Sequence, residues 1–463
     1  MKLYSNDKHF YGKVFKLGFP IALQTLITVG VGMLDNIMLS HLSQPAFSAT
    51  SLANSYVTIF QIFCMGLGMG ASVLVSRYWG MKKAHDNEEK ADISLKQTVC
   101  LMFRLMLLVA TIFALGALLI PRYIMMSYTD EADLVDLGIT YLRYSIPTFF
   151  FLGLSLTTTI VLRSVGQSRY PLYVSIGALF INLSGNYMLI FGHFGAPQLG
   201  IAGAAIATMI ARIFEATCVV AYLVLVDQKI GFRVHHIFMK TRALVREYFR
   251  VCIPVLASDA IYAIGNNSIT MVIGHLGEAF VAANSITAVT QQLSTVVIQG
   301  VCQSGAIITG QTLGKGKREQ AEAQGWLFLG LGFALGFLSA LFIFFTKTPI
   351  ILSYGEKTTA EAVSIAYQLL NSISLIIIFQ ATNSIMTKGV LRGGGDTTML
   401  MLADNIFLWI LALPLGLLAG FVLHLPAFWI YFFLKFDQIA KTIWCVLRLR
   451  SRKWIKRIST GNN

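Results

Sequence analysis

The uncharged stretch Gly325-Trp-Leu-Phe-Leu-Gly-Leu-Gly-Phe-Ala-Leu-Gly-Phe-Leu-Ser-Ala-Leu-Phe-Ile-Phe-Phe-Thr346 decides the fold class of this chain. As an α-helix rising about 1.5 Å per residue, it crosses the roughly 30 Å hydrocarbon core of a bilayer. Similar runs recur throughout the 463 residues, of which 56% are hydrophobic and 13% charged, with a mean hydropathy of +0.67. Soluble domains carry about 25% charged residues, so the sequence predicts an all-α membrane protein.

Twelve transmembrane helices are predicted, because each run is continuously apolar, whereas the strands of a membrane barrel alternate over about ten residues. The runs cover residues 14–39, 47–76, 93–120, 137–160, 170–192, 199–226, 249–275, 280–312, 325–346, 361–388, 398–419 and 421–445. The first run is long and lacks a small-residue cleavage site, so we expect it to remain as a span.

The net charge of +14 indicates how the chain is oriented in the membrane and does not indicate nucleic-acid binding. Most of the 36 Lys and Arg residues fall in the two tails or in the connections after even-numbered spans, whereas connections after odd-numbered spans hold Arg122, Lys347 and Lys357 beside several acids. Because cytoplasmic loops are rich in basic residues, both termini are predicted to be cytoplasmic. We expect a multi-pass protein of the bacterial plasma membrane that contacts lipid, works as a monomer and binds no nucleic acid.

Prolines, glycines and charged residues repeat at one spacing in the two halves of the chain. Pro20 and Pro254 are 234 residues apart, as are His41 and His275, while Arg163 and Arg392 are 229 apart. We interpret the chain as two pseudo-symmetric six-helix bundles inserted the same way up, as in paired transporter halves. The predicted domains are an amino-terminal bundle, a basic cytoplasmic linker, a carboxy-terminal bundle and a basic tail, covering residues 1–226, 227–248, 249–447 and 448–463.

Asp35 is the clearest candidate for an ion-binding residue, because a charge within a span costs about 2.5–3.5 kcal/mol on insertion scales. Asn182 and Asn186 in the fifth span are four residues apart, which places both amides on one helix face. A carboxylate with amide oxygens suits H⁺ or Na⁺, so Asp35, Asn182 and Asn186 form the predicted coupling site. The alternatives are an interfacial acid that caps a neighbouring helix and amides that only join helices.

Other charged and polar residues of the spans receive weaker functional predictions. The i, i+3 spacing of Arg212 and Glu215 indicates a structural pair, and Asp259 and Asp404 are secondary candidates for a cation site or a gate. Pro20 and Pro254 are expected to bend their helices, since each removes a backbone hydrogen bond. A substrate cleft between the bundles is predicted to be lined by Gln24, Tyr56, Gln61, Tyr262, Asn266 and Gln292.

Sequence signals for catalysis are missing: the chain has no phosphate-binding Gly-x-x-x-x-Gly-Lys-Ser/Thr loop and no His-Glu-x-x-His motif. The six cysteines show no disulfide or metal spacing. We therefore expect a transporter rather than an enzyme, with no cofactor and with an ion gradient as its energy source.

Several motifs, in order, make the chain similar to the multidrug and toxic compound extrusion (MATE) family over essentially its whole length. Pro20 is followed by Gly-Val-Gly-Met-Leu-Asp-Asn-Ile-Met at 30–38, and Val-Leu-Arg-Ser-Val-Gly-Gln-Ser-Arg at 161–169 has the partner Val-Leu-Arg-Gly-Gly-Gly-Asp-Thr-Thr at 390–398. Gly-Ile-Ala-Gly-Ala-Ala-Ile-Ala-Thr at 200–208 and Gln-Thr-Leu-Gly-Lys-Gly at 311–316 also resemble family sequences.

This resemblance implies export of organic, often cationic, compounds in exchange for H⁺ or Na⁺. Asp35 matches the acid of the family's first helix, Asn182 and Asn186 match the polar pair of the fifth, and Thr208 joins this predicted coupling set. The chain looks most similar to the NorM-like branch, but Tyr262 stands where that branch has a Glu, and Asn383 stands where it has an acid. Asn383 is thus a secondary candidate, and Asp35 is favoured as the residue that couples transport to the ion.

Two other functions remain open from the sequence. A flippase for lipid-linked precursors or polysaccharide is the main alternative, and it would need a groove lined by many cations. An intramembrane enzyme such as a prenyl transferase would need clustered acids for a metal ion.

Overall fold

A computed structural model describes residues 8–84, 88–353 and 359–456, without the side chains of residues 8, 40 and 353, and no β-strand occurs in these ranges. The first half of the chain forms helices α1 (Lys8–Leu42), α2 (Gln44–Lys83), α3 (Glu88–Leu119), α4 (Pro121–Met126), α5 (Ala132–Tyr144), α6 (Ile146–Ser164), α7 (Arg169–Phe191) and α8 (Ile201–Ala221). A π-helical turn, Tyr222–Val226, continues α8, and a 3₁₀ turn, Val234–Phe238, follows.

The second half forms helices α9 (Arg242–His275), α10 (Glu278–Gly314), α11 (Arg318–Ser353), α12 (Ala360–Ser384), α13 (Thr397–Ile406), α14 (Leu413–Leu417), α15 (Ala427–Leu434) and α16 (Asp437–Arg450). π-Helical segments continue α12 and flank α14, at Ile385–Leu391, Phe407–Ala412 and Leu418–Val422. Because α9 already begins at Arg242, the connection between the halves is shorter than the predicted linker 227–248.

Within the described ranges, eleven helical stretches are long and apolar enough to cross a membrane. The predicted fourth span, 137–160, is divided between α5 and α6 at Ser145, immediately before Ile146 and Pro147. The predicted twelfth span, 421–445, is not one continuous helix, because two turn residues, Lys435 and Phe436, separate α15 from α16. Neither α15 nor α16 reaches the length of a span alone.

The described residues group into two compact units. The carboxy-terminal unit comprises the described residues of Ile253–Ile458 and of Met1–Ala22, and the amino-terminal unit comprises those of Leu23–Cys252. The chain therefore passes from one unit to the other within α1 and again within α9. Each passage lies two residues or fewer from a proline, Pro20 in α1 and Pro254 in α9.

Close helix contacts explain why the start of α1 belongs to the carboxy-terminal unit. Phe10 is buried and packs edge-on against Phe328 of α11, with ring centroids 4.9 Å apart. Gly18 lies so near Gly300 of α10 that a Cβ built on Gly300 would lie 2.8 Å from the Cβ of Ala22. Glycine at this crossing allows the two helix backbones to approach.

The start of α9 packs in the matching way inside the amino-terminal unit. The Tyr248 hydroxyl donates to the carbonyl of Leu67 on α2 at 3.0 Å, and the Cys252 thiol lies 3.7 Å from the carbonyl of Gly66. The repeat spacing of 234 residues relates Gly18 to Cys252 and Gly66 to Gly300. The two contacts are therefore equivalent features of the two halves.

Candidate coupling site

Helix α7 places two amide side chains on its buried face. Ala178, Asn182, Asn186 and Ile190 are spaced four residues apart, and all four are buried. This spacing keeps them on one side of a helix of 3.6 residues per turn. The two amides therefore share one buried face of α7, and the shared face is what their sequence spacing predicted.

Asp35 on α1 lies against these amides. The Asn186 side-chain amide donates to Oδ1 of Asp35 at 2.5 Å and to Oδ1 of Asn182 at 3.3 Å. Asn182 in turn donates to the hydroxyl of Thr208 on α8 at 3.3 Å. Three helices thus bring the four predicted coupling residues into one hydrogen-bonded chain.

A cavity of about 40 Å³ lies beside these hydrogen-bonded residues. Its polar lining comes from Thr28, Asp35, Ser175, Asn182, Thr208, Arg212 and Glu215. A cavity needs roughly 10–15 Å³ of such volume to hold a water molecule, so this one has room for water or for a small ion. It is too small for a drug-sized molecule, whose pockets measure roughly 300–1,000 Å³.

Glu215 and Arg212 of α8 occupy another part of the cavity wall. Arg212 donates from Nη1 to Glu215 Oε2 at 2.7 Å, which is the pair that their spacing predicted. The Ser175 hydroxyl donates to Glu215 Oε1 at 3.2 Å and accepts from the Gln24 amide at 2.7 Å. The Gln24 carbonyl oxygen accepts from the buried guanidinium of Arg163. Sequence reasoning missed Ser175 and Thr28, since single hydroxyls in an apolar chain carry no distinctive pattern.

Asp35 differs from the other acids that the sequence places well within spans. Among the described residues, Glu215 pairs with Arg212, Asp259 pairs with Arg392 at 3.2 Å and Asp404 pairs with Lys441 at 3.4 Å. No basic side chain of the described residues forms an ion pair with Asp35. Its carboxylate is held by an amide donor and faces the cavity.

The secondary candidates lie in a network of charges within the carboxy-terminal unit. Lys441 of α16 is 1% exposed and lies between Asp437, at 3.0 Å, and Asp404, at 3.4 Å. Its ammonium also lies 4.9 Å from the ring centre of Tyr262. Lys441 and Asp437 were missed because a hydropathy window averages over them, although their i, i+4 spacing suits an ion pair.

Asn383 joins the same network without contacting an acid directly. Its amide donates to the Gln438 carbonyl oxygen at 2.9 Å, and Gln438 donates to Asp437 at 2.6 Å. Asp259 lies near this network, but its carboxylate forms an ion pair with Arg392.

The six residues predicted to line a substrate cleft have different surroundings. Gln24 is buried in the hydrogen-bonded chain with Ser175 and Arg163, and the Tyr56 hydroxyl donates to the Phe113 carbonyl at 3.0 Å. Tyr262 belongs to the charge network of α16, and the Asn266 carbonyl oxygen accepts from Lys435 at 3.4 Å. Gln61 is half-buried and Gln292 is exposed. A cleft role for these residues stays a prediction.

Comparison with known proteins decides the family. The MatE family model matches residues 20–188 and 254–418, which together form most of the chain and correspond to its two halves. The chain belongs to the MatE family. This assignment confirms the predicted resemblance, and it makes the protein a membrane transporter rather than an enzyme.

Similar MatE proteins span almost the same length. An uncharacterised transporter of Bacillus subtilis, YisQ, is 26% identical over 97% of this chain and 96% of that protein. The multidrug resistance protein NorM of Burkholderia vietnamiensis is 26% identical over 87% of this chain and 85% of that protein. A solved outward-facing structure of a multidrug resistance MATE family transporter superimposes with a TM-score of 0.85 at 16% identity, covering 95% of this chain and 96% of that one. The predicted MATE-like helical fold is therefore confirmed.

Proposed function

We propose that this MatE transporter exports organic, often cationic, compounds in exchange for H⁺ or Na⁺, and that Asp35 is the acid that binds the coupling ion. The observation that carries the proposal is the environment of Asp35: it lines the small polar cavity and forms no ion pair with a described basic residue, while Glu215, Asp259 and Asp404 each have such a partner. An acid that forms no ion pair with a described basic residue is open to a proton or a mobile cation.

Ion binding at Asp35 drives export only if it changes the balance between inward-open and outward-open states. A ligand shifts such an equilibrium by as much as its affinities for the two states differ. The cavity has room for a small ion but not for a drug-sized molecule, so the organic compound would occupy a separate or enlarged space. Asp35, Asn182, Asn186 and Thr208 would bind Na⁺ through their oxygen atoms after rotation of the Asn186 amide, whose Oδ1 is buried without a hydrogen bond.

A flippase is less well supported by the charges of the spans. A diphosphate head group needs cations that are available to bind it. Arg212, Arg392 and Lys441 are each paired with a carboxylate. This pairing favours organic compounds over lipid-linked diphosphates as the cargo.

The distribution of Lys and Arg supports a plasma-membrane location with both termini in the cytoplasm. We further propose that the protein works as a monomer surrounded by lipid, without a cofactor or nucleic acid. Its relatives named for multidrug resistance suggest that the cargo is chemically varied.

The test is transport by purified protein in proteoliposomes, with proton and sodium gradients imposed separately. Asp35→Asn should reduce gradient-driven efflux of a fluorescent organic cation to the level of protein-free vesicles, because an amide neither ionises nor takes up a proton. Thermal unfolding in detergent checks that the variant folds.

Thr111→Val is the matched control, since Thr111 is an exposed hydroxyl of α3 that bonds only to the carbonyl of Leu107 in its own helix. This control should transport like the parent. Gradient-driven efflux by Asp35→Asn at the parent rate would refute the proposed role of Asp35.

A further inference from the structure

The Asp35 cavity contains a resident positive charge. Arg212 lines it together with two carboxylates, Asp35 and Glu215. With all three groups ionised, the cavity side chains carry a net charge of −1. The cavity therefore resembles a two-carboxylate cation site in which one cation is already supplied by the protein.

Both carboxylate oxygens of Glu215 accept a hydrogen bond from a protein donor. One carboxylate oxygen accepts from Arg212 at 2.7 Å and the other from Ser175 at 3.2 Å. The Glu215 side chain is 9% exposed and that of Arg212 is 24% exposed, so their charges are only partly screened by water. A buried pair of this kind holds its geometry, because losing one partner leaves an uncompensated charge.

The polar atoms placed next to Asp35 are also donors. The Asn186 amide presents N–H to Oδ1 of Asp35, and the Asn182 amide presents N–H to Thr208. A metal cation needs oxygen ligands on several sides, whereas a carboxylate held by N–H donors needs only a proton to become neutral. A second cation would also lie in a cavity of about 40 Å³ that Arg212 lines.

The carboxy-terminal unit contains an equivalent arrangement with its own resident cation. There, Ser258 donates to Asp404 at 3.0 Å and Lys441 lies 3.4 Å from the same carboxylate. Ser258 and Asp404 are separated from Gln24 and Ser175 by the repeat spacings of 234 and 229 residues. Each half thus has a polar contact between the residues of this repeat pair, and in each half a protein cation pairs with a carboxylate nearby.

We propose that Arg212 determines ion selectivity: its guanidinium occupies the cation position of the Asp35 cavity, so that Asp35 exchanges protons and the cavity excludes Na⁺. This inference rests on the proposed role of Asp35 and adds the identity of the ion. Arg212 is a specificity-determining residue that acts through its charge.

The test measures binding of radioactive ²²Na⁺ to the purified full-length protein in detergent, without transport. The parent protein should show no saturable Na⁺ binding. Arg212→Gln should gain saturable binding, because two carboxylates then face the cavity without a resident cation. Adding Asp35→Asn to that variant should remove the binding again, while Arg212→Lys should still exclude Na⁺.

A second variant distinguishes the effect of the guanidinium from the effect of the cavity's net charge. It also avoids misfolding caused by an unpaired Glu215. Arg212→Gln combined with Glu215→Gln removes the pair and leaves no unpaired Glu215, while Asp35 keeps the cavity at −1 as in the parent. It should also bind Na⁺. Exclusion of Na⁺ by this folded double variant, or saturable Na⁺ binding by the parent that Asp35→Asn removes, would overturn the inference. Neither result would affect the proposed role of Asp35, which is tested by gradient-driven efflux.

Discussion

At the scale of single residues, the contacts of Asp35 form a graded series. Asn186 donates to its carboxylate directly, Asn182 is linked to it through Asn186, and Thr208 is one contact further away. A hydrogen bond to a charged group contributes about 1.5–3 kcal/mol, and this contribution falls as contacts become indirect. The series therefore ranks the three residues by their expected effect on the ion.

Asn186→Ala should change the ion concentration that gives half-maximal efflux by about tenfold or more, because about 1.4 kcal/mol corresponds to a factor of ten. Asn182→Ala should produce a smaller change and Thr208→Val the smallest. The measurement is efflux from proteoliposomes over a range of ion gradients. A larger change for Asn182→Ala than for Asn186→Ala would contradict the order of contacts.

At the scale of helices, glycines decide where α1 and α10 cross. A Cβ on Gly300 would lie 3.0 Å from the Ala22 backbone nitrogen and 2.8 Å from the Ala22 Cβ, whereas a Cβ on Gly330 of α11 would meet no atom within 4 Å. The same substitution should therefore have opposite effects at these two positions.

Gly300→Ala should lower the free energy of unfolding by about 1–3 kcal/mol, the usual cost of overpacking. Gly330→Ala should raise it by up to about 1 kcal/mol, since alanine is the better helix former. Thermal or denaturant unfolding in the same detergent measures both variants. An unchanged or increased free energy of unfolding for Gly300→Ala would show that the crossing tolerates a side chain.

Helix existence could be predicted from the sequence, but two interruptions could not. Apolar runs of span length have few alternatives to helix in a bilayer, whereas the turn between α15 and α16 depends on where polar residues point. Asp437, Gln438 and Lys441 of α16 face inward, while Ile443 and Leu447 are exposed. A hydropathy average cannot separate these two faces.

The candidate site was predictable only in part for a similar reason. The spacing of Asn182 and Asn186 fixes their shared helix face, but the contact of Asn186 with Asp35 joins residues 151 apart in sequence. The repeat spacing of the prolines was visible, whereas the passage of α1 and α9 between units depends on packing by Phe10 and Tyr248.

At the scale of the whole molecule, Pro20 and Pro254 lie where the chain passes between its two units. A proline inside a helix removes one backbone hydrogen bond and so weakens the helix locally. A change in the relative arrangement of the units requires these two helices to bend or rotate there. We expect the prolines to influence the rate of the transport cycle more than the binding of ions.

Pro20→Ala should slow gradient-driven efflux while leaving the half-saturating ion concentration unchanged, because it restores a rigid helix away from the Asp35 cavity. Pro254→Ala should act in the same direction. Pro349→Ala is the control, since Pro349 lies inside α11 within one unit. Efflux by Pro20→Ala at the parent rate would contradict the expected bending.

The exchange of helix starts between the units also constrains how the protein is made. Residues 8–22 leave the ribosome well before Phe328 and Gly300, against which they pack and which are synthesised about 300 residues later. At about 5–20 residues per second, this segment waits for tens of seconds before its neighbours exist. The amino-terminal unit is therefore complete only after the start of α9 has been synthesised, and the carboxy-terminal unit includes residues 8–22, which were synthesised much earlier. A ribosome that stalls before α10 and α11 are complete leaves residues 8–22 without the helices against which they pack.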